Sequence, residues 1–203
     1  MKSTLACENV ASHSEFRRLA GIAGILVDLR YAGSNNFVGR ELYAALDCAW
    51  LHSHAAAALE KSVAWLAVER SDLSLLVLDA MRPQRVQEQL WAALQGTDLL
   101  GYLAPPERGS IHSFGMAVDI TLVDRQGREL DMGTPFDDLS VRSHPALEAT
   151  LRATGELSTE QIANRQLLRG AMDHGGWVGI KSEWWHFDCG DRDRVRECYI
   201  RVL

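Results

Sequence analysis

The stretch Gly109-Ser110-Ile111-His112-Ser113-Phe114-Gly115-Met116-Ala117-Val118-Asp119-Ile120-Thr121-Leu122-Val123 holds the clearest structural signal in this chain. From Met116 it alternates as a strand does. Met116, Val118, Ile120 and Leu122 share one side, and Ala117, Asp119 and Thr121 the other. Gly115 supplies a turn before the strand, and His112 lies just ahead of that turn. Asp119 is the odd residue, because a carboxylate buried among Val118, Ile120 and Leu122 must be paired, hydrogen-bonded or bound to a metal.

Working outward, Asp124-Arg125-Gln126-Gly127 forms a turn, and Arg128–Met132 is expected to return as a second strand. Leu73–Leu78 is a compact apolar strand ending at Asp79-Ala80-Met81-Arg82-Pro83, where Pro83 pushes Arg82 toward an extended backbone. Gln84–Gln95 then has helical spacing in Val86, Leu90 and Leu94, with Gly96 as a stop. Ala45–Glu69 has the composition of a helix, with Leu59, Val63, Leu66 and Val68 expected to face the core. Ile22–Arg30 suits a strand or extended segment, and Gly33–Asn36 a turn. Ser158-Thr159-Glu160-Gln161 has the form of a capping box, opening a helix to about His174 that Gly175 and Gly176 end. Trp177–Ile180 and Trp184–Cys189 read as strands around a turn. Helices separated from hairpins predict an α+β fold: one domain over residues 1–203, with the first 20 residues a loose lead-in.

At 203 residues and 47% hydrophobic, the chain can bury one substantial core. Its net charge of −6 and the absence of a basic block argue against a nucleic-acid partner. No run of about 18 apolar residues is present, so no membrane span is expected. Lys2 is not followed by an apolar segment before Glu8–Arg18, so no cleavable signal is expected. Cys7, Cys48, Cys189 and Cys198 match no zinc-knuckle spacing. Free thiols are expected, with a Cys189–Cys198 pairing left open.

A second stretch bears chemistry: Glu183-Trp184-Trp185-His186-Phe187-Asp188. His112, Asp119 and His186 form a set of two histidines and one carboxylate. With water in a fourth position, that set suits catalytic zinc, and Glu183 would be the general base. The residues alone leave other readings open. His186 could be a hydrogen-bonded core residue, Asp119 a salt-bridge partner, Glu183 an exposed carboxylate, and the tryptophans plain core. On a regular strand Glu183 and His186 would point to opposite faces, so the metal reading requires a turn at Lys181-Ser182.

Ser110, His112, Gly115, Ala117 and Asp119, followed by Glu183 and His186, match the M15 metallopeptidase pattern Ser-x-His-x-x-Gly-x-Ala-x-Asp and Glu-x-x-His. Further stretches narrow the likeness. They are Asp28–Ala32 with Asn35–Gly39, Asp79–Pro83, Met132–Asp137 with Arg142–His144, and Asn164–Arg169. Over roughly residues 25 to 190 the chain resembles the VanX-type D-alanyl-D-alanine dipeptidases. That resemblance implies a small, mostly antiparallel sheet flanked by helices and one zinc ion per chain on His112, Asp119 and His186. It implies Glu183 as general base and acid, and Arg82 beside the scissile carbonyl to stabilise the tetrahedral oxygen. Asp137, with Tyr31 nearby, would meet the ammonium of a free dipeptide, and Ser110 would hydrogen-bond the substrate near the metal.

The expected substrate is D-Ala-D-Ala, a cell-wall building block met in glycopeptide resistance, in recycling or as a nutrient. The expected location is the cytoplasm. A homodimer is compatible with the sequence but not required by it. Two alternatives stand beside this reading: an M15 D,D-carboxypeptidase or endopeptidase acting on peptidoglycan stems, and a non-catalytic zinc-binding module. The ligand set would also accept other divalent ions.

Overall fold

A computed structural model describes residues 3–203. In chain order its strands and helices are β1 (Thr4–Leu5), β2 (Phe16–Arg18), β3 (Ile25–Val27), β4 (Trp50–His52), α1 (Ser53–Glu69), β5 (Leu73–Asp79), α2 (Gln84–Leu94), β6 (Ala117–Asp124), α3 (Glu148–Ala153), α4 (Thr159–Gly175), β7 (Trp177–Gly179), β8 (His186–Cys189), α5 (Arg192–Cys198) and β9 (Arg201–Val202). The architecture is α+β, as the separated helices and hairpins predict.

The main sheet has five strands in the order β3-β5-β6-β8-β7. Only β3 and β5 run parallel; every other neighbouring pair is antiparallel. The apolar strands β5 and β6 occupy the middle because they alone can be covered on both faces. Leu75 and Val77 of β5 enter one hydrophobic cluster, and Leu76 and Leu78 enter another. Helices α1 and α4 pack on each other and against the sheet. Their Leu59, Leu66, Leu168, Ala171 and Met172 join the first cluster, each leucine contributing about 1.5–3 kcal/mol by burial.

Local signals account for the element ends. Ser158 and Gln161 form the reciprocal capping box, and α4 stops at Gly176 with φ 87°. Gly115 has φ 63°, and a Cβ there would lie 2.8 Å from the backbone nitrogen of His52. No larger residue fits that turn, which brings the segment carrying His112 against the start of α1.

Several expectations are corrected. The long helix begins at Ser53 rather than Ala45, because Trp50–His52 pairs with β2 and His52 caps the helix by accepting from His54 N. Val68 is 82% exposed. Nine residues after Leu59 it has turned about 180° to the opposite face of the helix. Arg128–Met132 forms no strand and contributes only the bridge Glu129–Val123. The first 20 residues are not a loose lead-in from Ser3 onward. Cys7, Val10, Phe16 and Leu19 are buried, and β1 pairs with β9 at the far end of the chain. The cysteines agree with expectation: all four are free thiols, and the pairing of Cys189 with Cys198 that the sequence left open is not made. Among the described residues, no helix is long and apolar enough to cross a membrane.

Candidate active site

The antiparallel register sets the site. Asp79 at the end of β5 lies opposite Asp119 of β6, and Asp119 lies opposite His186 at the start of β8. Three polar side chains therefore stand in a row across three neighbouring strands. A register shift between Val77 and Asp79 bends β5 at this point, as bulges do where a side chain must be re-aimed. His112 joins from the short 3-10 turn Ile111–Phe114 that precedes β6.

His112 Nε2, His186 Nδ1 and Asp119 Oδ1 converge. The two ring nitrogens are 3.2 Å apart, His186 Nδ1 is 3.0 Å from the carboxylate oxygen, and His112 Nε2 is 3.4 Å from it. These spacings match the roughly 3.3 Å between neighbouring donors of a tetrahedral zinc with bonds of about 2.0–2.1 Å. Each ring is held from behind. His112 Nδ1 donates to the carbonyl of Ala80 at 2.7 Å, and His186 Nε2 donates to Asp188 Oδ1 at 3.0 Å. Both histidines thus turn a lone pair toward the same point. Two lone pairs 3.2 Å apart repel each other unless positive charge lies between them. Burial opposes charge on His186, but Asp188 and Asp119 outweigh it and raise the histidine well above its ordinary range, so a proton on Nδ1 supplies the positive charge at this point until a cation displaces it. The donor set therefore fits a divalent cation in both chemistry and spacing, and no other group of three such ligands occurs among the described residues.

Arg82 is 5% exposed and tied to the same row. Its Nε donates to Asp79 Oδ2 at 2.8 Å and its Nη1 to Gln87 at 3.2 Å. Its Nη2 lies 2.7 Å from Asp79 and 3.1 Å from Asp119. The guanidinium stands 4.9 Å from the centre of the Tyr31 ring. Three of its five donors are used in hydrogen bonds, and Nη1 keeps one proton without a protein partner among the described residues. Tyr43 donates to the other oxygen of Asp79. The backbone closes the unit, since Arg82 N–H donates to the carbonyl of His112 at 3.1 Å.

The expected strand Trp184–Cys189 begins two residues late. Lys181 to Trp185 is irregular, and β8 starts at His186. That irregularity removes the alternation problem, and Glu183 and His186 line the same cleft. Burial pushes Glu183 up to about 7, with Asp119 and Asp188 adding to the rise against His186 and Arg82. Asp137 lies on a loop in the left-handed region, φ 63°. For a non-glycine residue that costs roughly 1–3 kcal/mol, and such strain gathers at functional sites. Tyr31 Oη donates to Asp137 Oδ1 at 3.1 Å, and Phe37 N–H to Oδ2 at 3.3 Å. Burial pushes Asp137 up to about 8, with the charge of Asp119 adding to the rise. Ser110, buried, precedes the His112 turn.

All eight residues singled out in the sequence line one cleft of about 720 Å³: Tyr31, Arg82, Ser110, His112, Asp119, Asp137, Glu183 and His186. A protein-family model described as D-ala-D-ala dipeptidase, of the M15 peptidases, matches residues 13–202. The chain belongs to the M15 peptidase family. It is similar to a D-alanyl-D-alanine dipeptidase of Escherichia coli, 40% identical over 162 residues, covering 80% of this chain and 77% of that protein. A D-alanyl-D-alanine dipeptidase of Enterococcus faecium is 29% identical over 187 residues, covering 82% and 86%. One from Synechocystis is 35% identical over 108 residues, covering 51% and 40%.

For a member of a peptidase family, the useful property of this cleft is its pairing of opposed charges. Asp79 and Asp188, which flank the metal-competent set, were not singled out from the sequence. The available signal was positional. Asp79 ends an apolar strand three residues before Arg82, and Asp188 follows His186 by two, on the same face of the strand.

Proposed function

We propose that this M15 peptidase hydrolyses a small D,D-dipeptide, with D-Ala-D-Ala the first substrate to test, and uses one zinc ion held by His112, Asp119 and His186. The observation that carries the reading is the convergence of three donors at tetrahedral spacing with Glu183, Arg82 and Asp137 on one cleft. When bound, zinc would polarise the scissile carbonyl and lower the pKa of water. Glu183 accepts the proton of the attacking water and delivers it to the leaving amine. A carboxyl pushed toward 7 by burial suits that exchange near neutral pH. Arg82 offers its remaining Nη1 proton to the carbonyl oxygen as that oxygen gains charge. Asp79, Gln87 and Asp119 hold the guanidinium still, so little reorganisation is needed. Asp137, steadied by Tyr31, pairs with the substrate ammonium, and Ser110 hydrogen-bonds the substrate beside the metal.

Residues 1–203 act as one M15 domain in this reading. The cytoplasm, where such a dipeptide is made, is the proposed location. The second reading is a D,D-carboxypeptidase. It is favoured by the cleft volume, which exceeds what two alanine residues fill. Alanine release from D-Ala-D-Ala, L-Ala-L-Ala and a pentapeptide ending in D-Ala-D-Ala, with and without chelator, separates the two. Chelator-sensitive release from D-Ala-D-Ala alone supports the dipeptidase, and release from the pentapeptide supports the carboxypeptidase. No release from any of them with zinc present overturns both.

A further inference from the structure

Asp188 is only 2% exposed, and it sits in the middle of β8 between Phe187 and Cys189. Its cross-strand neighbours are Ala117 on β6 and Val178 on β7. Neither neighbour offers a polar side chain, so an ionised carboxylate there must find its partners elsewhere or carry a large desolvation cost. It has two. Asp188 Oδ1 accepts from His186 Nε2 at 3.0 Å, and Asp188 Oδ2 accepts from Arg192 Nε. His186 and Asp188 are two apart on a strand and share a face. The small Ala117 opposite Asp188 leaves room for the imidazole and carboxylate to lie side by side. Arg192 opens α5, whose cap is Asp191 accepting from Arg194 N–H, so the guanidinium starts from a fixed backbone.

An imidazole has two nitrogens, and only the one without a proton can bind a metal. His112 has its choice made by the backbone, through Ala80. His186 has no backbone acceptor, so a side chain must make the choice. We propose that Asp188, itself held by Arg192, is the positioning residue of the metal site: it keeps the proton of His186 on Nε2 and so directs Nδ1 toward His112 and Asp119. This rests on the zinc reading above. A carboxylate behind a ligating histidine also makes the ring a more basic donor, and loss of such a partner typically weakens metal binding about 10–100-fold.

The test is zinc affinity by competition with a chromophoric chelator, on full-length wild type, Asp188→Ala, Asp188→Asn and His186→Ala. Asp188→Ala should bind zinc about 10–100-fold more weakly. Asp188→Asn, whose amide oxygen can still accept from Nε2, should recover part of that loss. A purely structural ion pair with Arg192 would lower the melting temperature of Asp188→Ala and leave its zinc affinity at the wild-type value, and that result overturns the proposal. If His186→Ala also binds zinc as wild type does, the zinc reading itself is at fault. Should Asp188→Ala fail to fold, a ¹⁵N imidazole spectrum of the zinc-loaded wild type decides alone. The His186 proton on Nε2 supports the assignment, and a proton on Nδ1 overturns it.

Discussion

His112 and Arg82 are joined through the backbone, the Arg82 N–H donating to the carbonyl of His112 at 3.1 Å. The residue read as a metal ligand and the residue read as the oxyanion donor are thereby fixed relative to each other, although thirty positions separate them in the sequence. Ala80 completes the arrangement by accepting from His112 Nδ1. One turn after β5 therefore sets both the orientation of the His112 ring and the guanidinium.

Arg82→Ala should lower kcat about 10²–10³-fold with a smaller effect on KM, because the lost contact strengthens as the carbonyl oxygen gains charge. Arg82→Lys should recover little. A single ammonium cannot reproduce the contacts to Asp79, Gln87 and Asp119 and still present a proton to the cleft. Steady-state kinetics on D-Ala-D-Ala decide this, and an unchanged kcat in Arg82→Ala removes the oxyanion role.

Glu183→Ala should keep zinc at the wild-type stoichiometry while losing at least about 10²–10⁴-fold in turnover. Metal content and turnover measured on one sample separate this outcome from a ligand role, in which zinc would go too. Full activity in Glu183→Ala would leave the chain without its assigned base.

The pH dependence follows from Asp137. Its carboxyl, pushed by burial up to about 8, is protonated in the free enzyme below that pH and then cannot pair with an ammonium. The profile of kcat/KM should therefore fall about tenfold per pH unit on the acid side as Asp137 protonates, steepening where Glu183 also protonates, with both limbs lying below the metal-free positions because the charge of bound zinc favours the ionised carboxylates. In Asp137→Asn only the lower limb should remain, at reduced kcat/KM. The same shift has a stability consequence. The folded state holds this proton more tightly than the unfolded chain, so the contribution is complete below the ordinary value of 3.8. It is lost as pH rises through about 8. Thermal melts of wild type and Asp137→Asn across that range test the sign.

Gly115→Ala should destabilise the protein by about 1–3 kcal/mol, because the added Cβ meets the His52 nitrogen and the backbone is left-handed. For a chain of this length that is a fall of roughly 2–4 °C in Tm per kcal/mol. Position along α1 gives a paired control. Leu59→Ala should cost about 2–5 kcal/mol, and Val68→Ala, on the solvent face, less than about 0.5. Thermal or urea unfolding measures all three, and an equal cost at Leu59 and Val68 would contradict the helix orientation.

The elements easiest to read were those with strictly local causes. Strands β5 and β6 declare themselves because both faces are apolar, and α4 carries its own start in Ser158 and Gln161 and its stop in Gly176. Readings failed where a partner distant in the chain made the decision. Trp50–His52 extends because β2 pairs with it, and Arg128–Met132 leaves β6 after the bridge Glu129–Val123 and the Leu130 N–H bond to Leu122. Hydrophobicity alone placed Val68 inward, while its angle around the helix places it outward.

By itself the sequence determined which residue types were available for chemistry and, through the two spaced motifs, which family the chain joins. Those are properties of side-chain identity and of order along the chain. Tertiary structure decided that His112, Asp119 and His186 meet, that Glu183 leaves the strand in time to line the same cleft, and that Asp79 and Asp188 support the row. The physical reason is the register of β5, β6 and β8. Backbone hydrogen bonds set that register between segments far apart in sequence, and a shift of one residue would turn Asp119 and His186 to the opposite face of the sheet.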